Sequence, residues 1–217
     1  MIARVLFVLL NLLRPLAAAP EEGFMPLFNG TDLTGWTKVG GNGQYSVQDG
    51  CIVGHGVNVS SNTFLRTNLT AYDFDYRFEM KFDDLTGNSG AMFRASLVNG
   101  TTTGYQCEHD NNSTRSWSAG LYDENRRGWL VPPSSSTTTE TARDFSSQGK
   151  QLFRTADWNK IRVLCLGSRV RIWLNGQIRA DYTETNAQYL KEGFFALQVH
   201  SGASCKVRWR NLRVKVL

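Results

Sequence analysis

The sequence predicts an all-β fold, a sandwich or jelly roll of two antiparallel sheets, on three observations. Strict apolar/polar alternation recurs along the chain, as in "FDYRFEMKF" at 74–82, where Phe74, Tyr76, Phe78, Met80 and Phe82 alternate with Asp75, Arg77, Glu79 and Lys81. A period of two is the mark of a half-buried strand. Gly, Asn and Asp punctuate these segments at short intervals, and no long amphipathic helix competes with them.

Taken in order, the chain opens with "MIARVLFVLLNLLRPLAAAP". A positive start at Arg4, an apolar run at 5–13 too short to span a bilayer, and small residues at 17–19 predict a signal peptide over 1–19. Export follows as the expectation: secreted, or periplasmic in a bacterium, with no stable membrane span once the leader is removed. Residues 20–217 then form one domain, large enough to bury a core without staples.

"QYSVQDGCIVG" predicts a hairpin about Asp49–Gly50, and "SGAMFRASL", "GYQCEHD" and "AGLYDE" predict shorter strands beyond the 74–82 segment. "PPSSSTTTETARD", 132–144, reads as a polar low-complexity loop, with a helical turn or two expected around Leu152 to Ala156. "NKIRVLCLG" and "RVRIWLNGQIRADY" predict strands turning at Gly167–Ser168 and Asn175–Gly176, and "GFFALQVHSG" and "VRWRNLRVKVL" close the chain as two more.

Composition narrows the function. Without the leader, 22 Lys and Arg stand against 19 Asp and Glu, scattered along the sequence rather than blocked, so nucleic acid is not implied. Cys51, Cys107, Cys165 and Cys205 permit two disulfides or four buried thiols; none has metal-ligand spacing, and only His55, His109 and His200 accompany them. Asn-x-Ser/Thr sequons begin at Asn29, Asn58, Asn68, Asn99, Asn111 and Asn112, which makes a glycoprotein in a host that glycosylates.

Polar residues gather where a plain sheet would carry something blander. Residues i and i+2 share a strand face, so Gln106, Glu108 and Asp110 point together, as do Gln198 with His200 and Met92 with Arg94. On a curved sheet those faces could line one groove, with base, acid and cation in it. A solvated face is the bland alternative for Glu108, and cross-strand pairing for Arg94.

The order of "LFNGTDLTGW", "NSGAMFR", "GYQCEHD", "SWSAGLYDENRRGWL", "WNKIRV", "IWLNG", "GFFALQVH" and "VRWRNLRV" resembles the 3-keto-disaccharide hydrolase family, whose domains are also described as 3-keto-glucoside 1,2-lyases and 3-keto-2-hydroxyglucal hydratases. The resemblance runs from about Phe24 to Val216. It implies a concanavalin A-like jelly roll with a carbohydrate groove on its concave sheet and a 3-keto-sugar as substrate. It also implies a chemistry: a C3 keto group acidifies the C2 hydrogen, a base removes it, the C1 substituent leaves by β-elimination, and water adds to the glycal.

Within that chemistry Glu108 and His200 are the expected proton carriers, and Arg94, Arg126 and Arg127 the expected oxyanion or hydroxyl contacts. Tyr105, Tyr122 and Trp129 are expected to supply ring faces or hydroxyls, Asn88, Gln106 and Gln198 to read hydroxyls, and Asp110 to orient a base. No cofactor is required, although Glu108, Asp110 and Asp123 would make an oxygen-rich divalent-cation site if they converge. Trp36, Trp158, Trp173 and Trp209 are assigned to packing.

A laminarinase-type glycosidase needs the pattern E-x-D-x-x-E, and here Glu108 and Asp110 are followed by Ser113 in the third position, so the carboxylate pair is broken. A non-catalytic carbohydrate-binding module is the alternative from a different class, and a purely structural domain the third.

Overall fold

The structure, a computed structural model, describes residues 21–84, 87–185 and 189–217; the leader expected at 1–19 lies outside them. The N-terminal stretches are β1 (Met25–Pro26), β2 (Trp36–Gly40), β3 (Gln44–Gln48), β4 (Cys51–Val59), β5 (Thr63–Ala71) and β6 (Phe74–Phe82). The middle of the chain gives β7 (Asn88–Val98), β8 (Thr101–Asp110), β9 (Leu121–Glu124), β10 (Gly128–Val131) and helix α1 (Glu140–Leu152). The last part gives β11 (Asn159–Leu166), β12 (Arg169–Leu174), β13 (Gln177–Thr183), β14 (Gly193–Val199) and β15 (Gly202–Val216).

Two antiparallel sheets result. One runs β13-β12-β11-β6-β15-β4-β3, with β1 beside β15, and the other runs β10-β9-β8-β7-β14-β5-β2. This is the predicted two-sheet jelly roll. Hairpins sit where the Asp49–Gly50, Gly167–Ser168 and Asn175–Gly176 turns predict them, since β3–β4, β11–β12 and β12–β13 flank those pairs.

Alternation decides what the sheets bury between them. Phe74, Tyr76, Phe78 and Met80 of β6 and Trp209 of β15 meet Phe93, Tyr105, Cys107, Phe195 and Leu197 from the other sheet. The Phe195 ring lies 4.9 Å from Phe74 and 4.8 Å from Tyr76, edge-on and tilted. Each such ring contributes about 2–3 kcal/mol by leaving water. All four cysteines are buried free thiols, so the core holds without disulfides.

Two local expectations change. The 132–144 segment is a loop only at its start, because α1 begins at Glu140 and ends at Leu152, where the helical turn was expected to begin. Thr139 caps it, accepting a hydrogen bond from the Ala142 amide at 3.2 Å, with Glu140 in the first turn. Its buried face, Ala142, Phe145, Ser146 and Gly149, has true helical spacing hidden in polar composition.

The second change is in β7. The register with β8 shifts between Phe93 and Ser96, and Arg94 adopts φ 46° there. A bulge resets the alternation, so Met92 and Arg94 do not share a face as an unbroken strand requires.

Candidate active site

The outer face of the seven-stranded sheet carries the polar residues. Because Tyr105 and Cys107 of β8 point into the core, Gln106, Glu108 and Asp110 point away from it. Register sets Gly90 of β7 opposite Glu108 and Asn88 opposite Asp110, while Tyr122 of β9 stands opposite Gln106 on the other side. On β14, Gln198 follows the Leu197–Ala91 pair and so flanks Gly90. The sheet curls strongly over this face: the Asn62 amide, in the β4–β5 turn, reaches Glu124 of β9 at 3.0 Å.

Glu108 sits at the centre and is buried, 5% exposed. The Asn88 amide donates to one carboxylate oxygen at 2.6 Å and the Gln106 amide to the other at 2.8 Å. Gly90 makes the second bond possible, since a Cβ there would lie 2.3 Å from Gln106 Cδ. Burial pushes the Glu108 carboxyl up to about 7, and the nearby Asp110 charge adds to it, against the opposing pull of the two amides and Arg115.

Around this carboxyl, polar atoms stand buried without hydrogen-bond partners among the described residues: Asn88 Oδ1, Gln106 Oε1, and both Gln198 amide atoms, Gln198 being wholly buried. Unsatisfied buried polar groups are costly and point to a ligand's hydroxyls or water. An open depression of about 460 Å³ begins beside them, lined by Asn88, Asp110, Asn112 and Arg115.

Tyr122 and Trp129 form the aromatic wall, their rings 5.2 Å apart. Burial, then the Glu124 and Glu108 charges, raise the Tyr122 phenol, which therefore keeps its proton at neutral pH. The cation of the site is Arg115, which sequence reasoning missed. Its Nε donates to Asp110 at 2.7 Å, and its guanidinium lies over Trp117 and Trp129 at 5.1 and 5.4 Å. The one signal for it was its place between the acidic strand and Trp117.

The other expected contacts lie elsewhere. Arg94 is wholly buried and donates to the Tyr72, Gly167 and Leu190 carbonyls and to Asp73, so the bulge turns it into a brace between loops. Tyr105 faces the core and donates to Glu184 at 3.3 Å, as its own alternation with Gln106 requires. Arg126 and Arg127 pair with buried Asp123, and Arg127 also with Glu184 at 2.7 Å. Asp123 thus opposes Tyr105 and faces away from Glu108, so the three carboxylates considered for a cation do not converge.

Asp110 accepts from Arg115, the Trp117 amide and the Asn112 amide, so it orders the 111–118 loop. His200 is half-buried, with Nδ1 2.6 Å from the Ser201 carbonyl, and it neighbours Glu124. Among the described residues no hydrogen bond joins His200 to Glu108.

Comparison with known proteins agrees with this architecture. The chain is similar to a candidate glycosyl hydrolase from Parabacteroides distasonis ATCC 8503, 24% identical over 90% of this chain and 94% of that one, with a TM-score of 0.62. It is also similar to the carbohydrate-binding module CBM66 from Bacillus subtilis (15% identity, 83% and 95% coverage, TM-score 0.54). A third solved structure, the Bacillus licheniformis β-glucanase, is similar at 11% identity, 89% and 97% coverage and TM-score 0.54. At these identities the likeness shows the shared jelly-roll fold. No curated protein matches the chain. The model of the 3-keto-alpha-glucoside-1,2-lyase-like domain matches residues 23–215, and the chain therefore belongs to that carbohydrate-related family.

Proposed function

We propose that the domain cleaves 3-keto-glycosides by base-initiated β-elimination, with Glu108 as the base. The observation that carries this reading is the buried Glu108 carboxyl, held by Asn88 and Gln106 with its pKa at about 7. A base poised near the working pH is ionised often enough to act, yet basic enough to take a carbon-bound proton. The sugar enters by the depression beside Asn88 and Arg115, with hydroxyls meeting the unpartnered amide atoms of Asn88, Gln106 and Gln198.

The step balances on the chain's own groups. The C2 proton passes to Glu108 and its electron pair forms the C2–C3 enolate, whose oxygen charge Arg115 and the Tyr122 hydroxyl offset. Return of that pair forms the C1–C2 double bond and breaks the bond from C1 to the leaving oxygen, which takes up the proton that Glu108 holds. Water added at C1, with a proton returned to C2, completes a net hydrolysis.

The test is incubation of the purified domain with a 3-keto-glucoside in D₂O, followed by NMR. Turnover with deuterium at C2, reduced at least about a hundredfold in Glu108→Gln, supports the reading. Turnover unchanged in Glu108→Gln removes Glu108 as the base. Sugar binding without turnover in the unsubstituted protein makes the face a lectin-like site instead.

A further inference from the structure

The cations that look scattered in the sequence are gathered by the fold. Because β6, β11, β12 and β15 alternate with period two and all point their apolar residues inward, their Lys and Arg side chains fall on the outer face of the eight-stranded sheet. On β15 alone that face carries Arg208, Arg210, Arg213 and Lys215. The carboxylates interleaved with them are shared: Asp75 pairs with Arg77 and Arg162, Glu21 with Arg77 and Arg213, and Asp83 with Lys81, Lys206 and Arg208. Lys160, Arg171 and Lys215 enter no ion pair among the described residues. Positive charge is therefore left over on this face.

Aromatic rings are set among these cations. Trp173 is half-buried on β12, not in the core, with the guanidiniums of Arg162 and Arg171 4.7 and 5.5 Å from its ring. Trp158 lies between Lys81 and Arg210, and Phe24 between Arg77 and Arg213. An open groove of about 400 Å³ runs past Arg77, Glu79, Lys160, Arg162, Trp173 and Arg213.

We propose that this outer face binds an acidic polysaccharide built of uronic acids. An indole offers a flat apolar surface for the C–H face of a pyranose, and the Arg171 guanidinium beside it, outside any ion pair among the described residues, takes its carboxylate in a two-pronged bond, while Arg162 stays on Asp75. The intervening Asp75 and Glu79 argue for one charge per sugar and against a phosphate backbone, whose charges follow at about 1.7 Å along a duplex. This surface lies on the opposite side of the sandwich from Glu108. It neither uses the proposed catalytic groups nor depends on them.

The test is titration of the purified domain with polygalacturonate, its carboxyl-reduced neutral form, dextran sulfate and single-stranded DNA. The expected result is salt-weakened binding of polygalacturonate over the neutral polymer. That binding should fall about tenfold or more both in Trp173→Ala and in Lys160→Glu with Arg171→Glu. The charge-reversed pair breaks no ion pair seen here, and unchanged thermal unfolding of both variants confirms intact folding. Equal binding of the neutral polymer, tighter binding of dextran sulfate or DNA than of polygalacturonate, or indifference to these substitutions overturns the proposal. Lost turnover on a 3-keto-glucoside, by contrast, would leave it standing.

Discussion

Glu108 and His109 are neighbours in sequence and opposites in environment, one on the outer face of β8 and the other in the core. Burial lifts the Glu108 carboxyl to about 7 from an ordinary 4.5, so the folded state holds its proton more tightly than the unfolded one. The stabilisation this gives is full below pH 4.5 and is lost as pH rises through 7. His109 runs the other way. Burial lowers it to about 4 from 6.5, and neither ring nitrogen has a hydrogen-bond partner among the described residues, so its contribution is full above pH 6.5 and is lost as pH falls through 4. Glu108→Gln should remove this carboxyl's share of the decline on the neutral side, while Asp123 and Glu124, also raised by burial, keep theirs: the drop in melting temperature between pH 5 and pH 8 should shrink relative to the unsubstituted protein. Thermal unfolding across that range checks it, and an unchanged drop would mean that Glu108 is ionised well below 7. Under the proposed mechanism the rate should climb with pH through about 7, since only the ionised carboxyl accepts a proton; a pH–rate profile flat across that range would remove Glu108 as the base.

Strands β7, β8 and β14 assemble the site, and Gly90 is the position where they depend on one another. A methyl group at Gly90 would displace the Gln106 side chain, removing the hydrogen bond that favours ionised Glu108. Under the proposed mechanism Gly90→Ala should therefore move the midpoint of the pH–rate profile upward and lower the rate at pH 7; a profile left in place would show that Gln106 does not tune Glu108. Alternation made much of this element visible in the sequence, because Gln106, Glu108 and Asp110 needed only a regular strand to share a face. Arg94 was not visible, because one residue with φ 46° in β7 sends its side chain away from Met92's face. Helix α1 was hidden for a different reason: Thr139 reads as a loop residue until it is seen capping the helix, and Ser146 fixes the helix only through a long-range contact, accepting a hydrogen bond from the Trp117 indole at 2.9 Å. Arg115 lay in a polar turn with no periodicity to aim it, and long-range contact with Trp129 places it.

At the scale of the whole molecule, two sheets of opposite character share one core. Sequence periodicity shows which residues are inside, but the order of strands brings β15 between β4 and β6 and so concentrates charge on one outer face, which no local pattern reveals. The core itself needs no covalent tie. Burial raises Cys107 and Cys165, the latter to about 12, so these thiols are protonated and unreactive at neutral pH. The intact domain should show no thiols to Ellman's reagent, four in guanidinium, and no change in melting temperature on adding reductant. A reductant-sensitive melting temperature would reveal a disulfide.

Helix α1 also has a consequence for how the chain can vary. Gly149 abuts the Ser116 carbonyl so closely that a Cβ would lie 1.9 Å from it, and Arg179 donates to the carbonyls of Ser116, Ser118 and Phe145. The segment bearing Arg115 is thus clamped from outside by the helix and from β13 by one guanidinium. The stretch 135–138 just before the helix is exposed and outside this clamp. Foreign sequence spliced at 135–138 would be carried as cargo, whereas a single residue inserted at 116–118 would shift Arg115 out of alignment with Glu108.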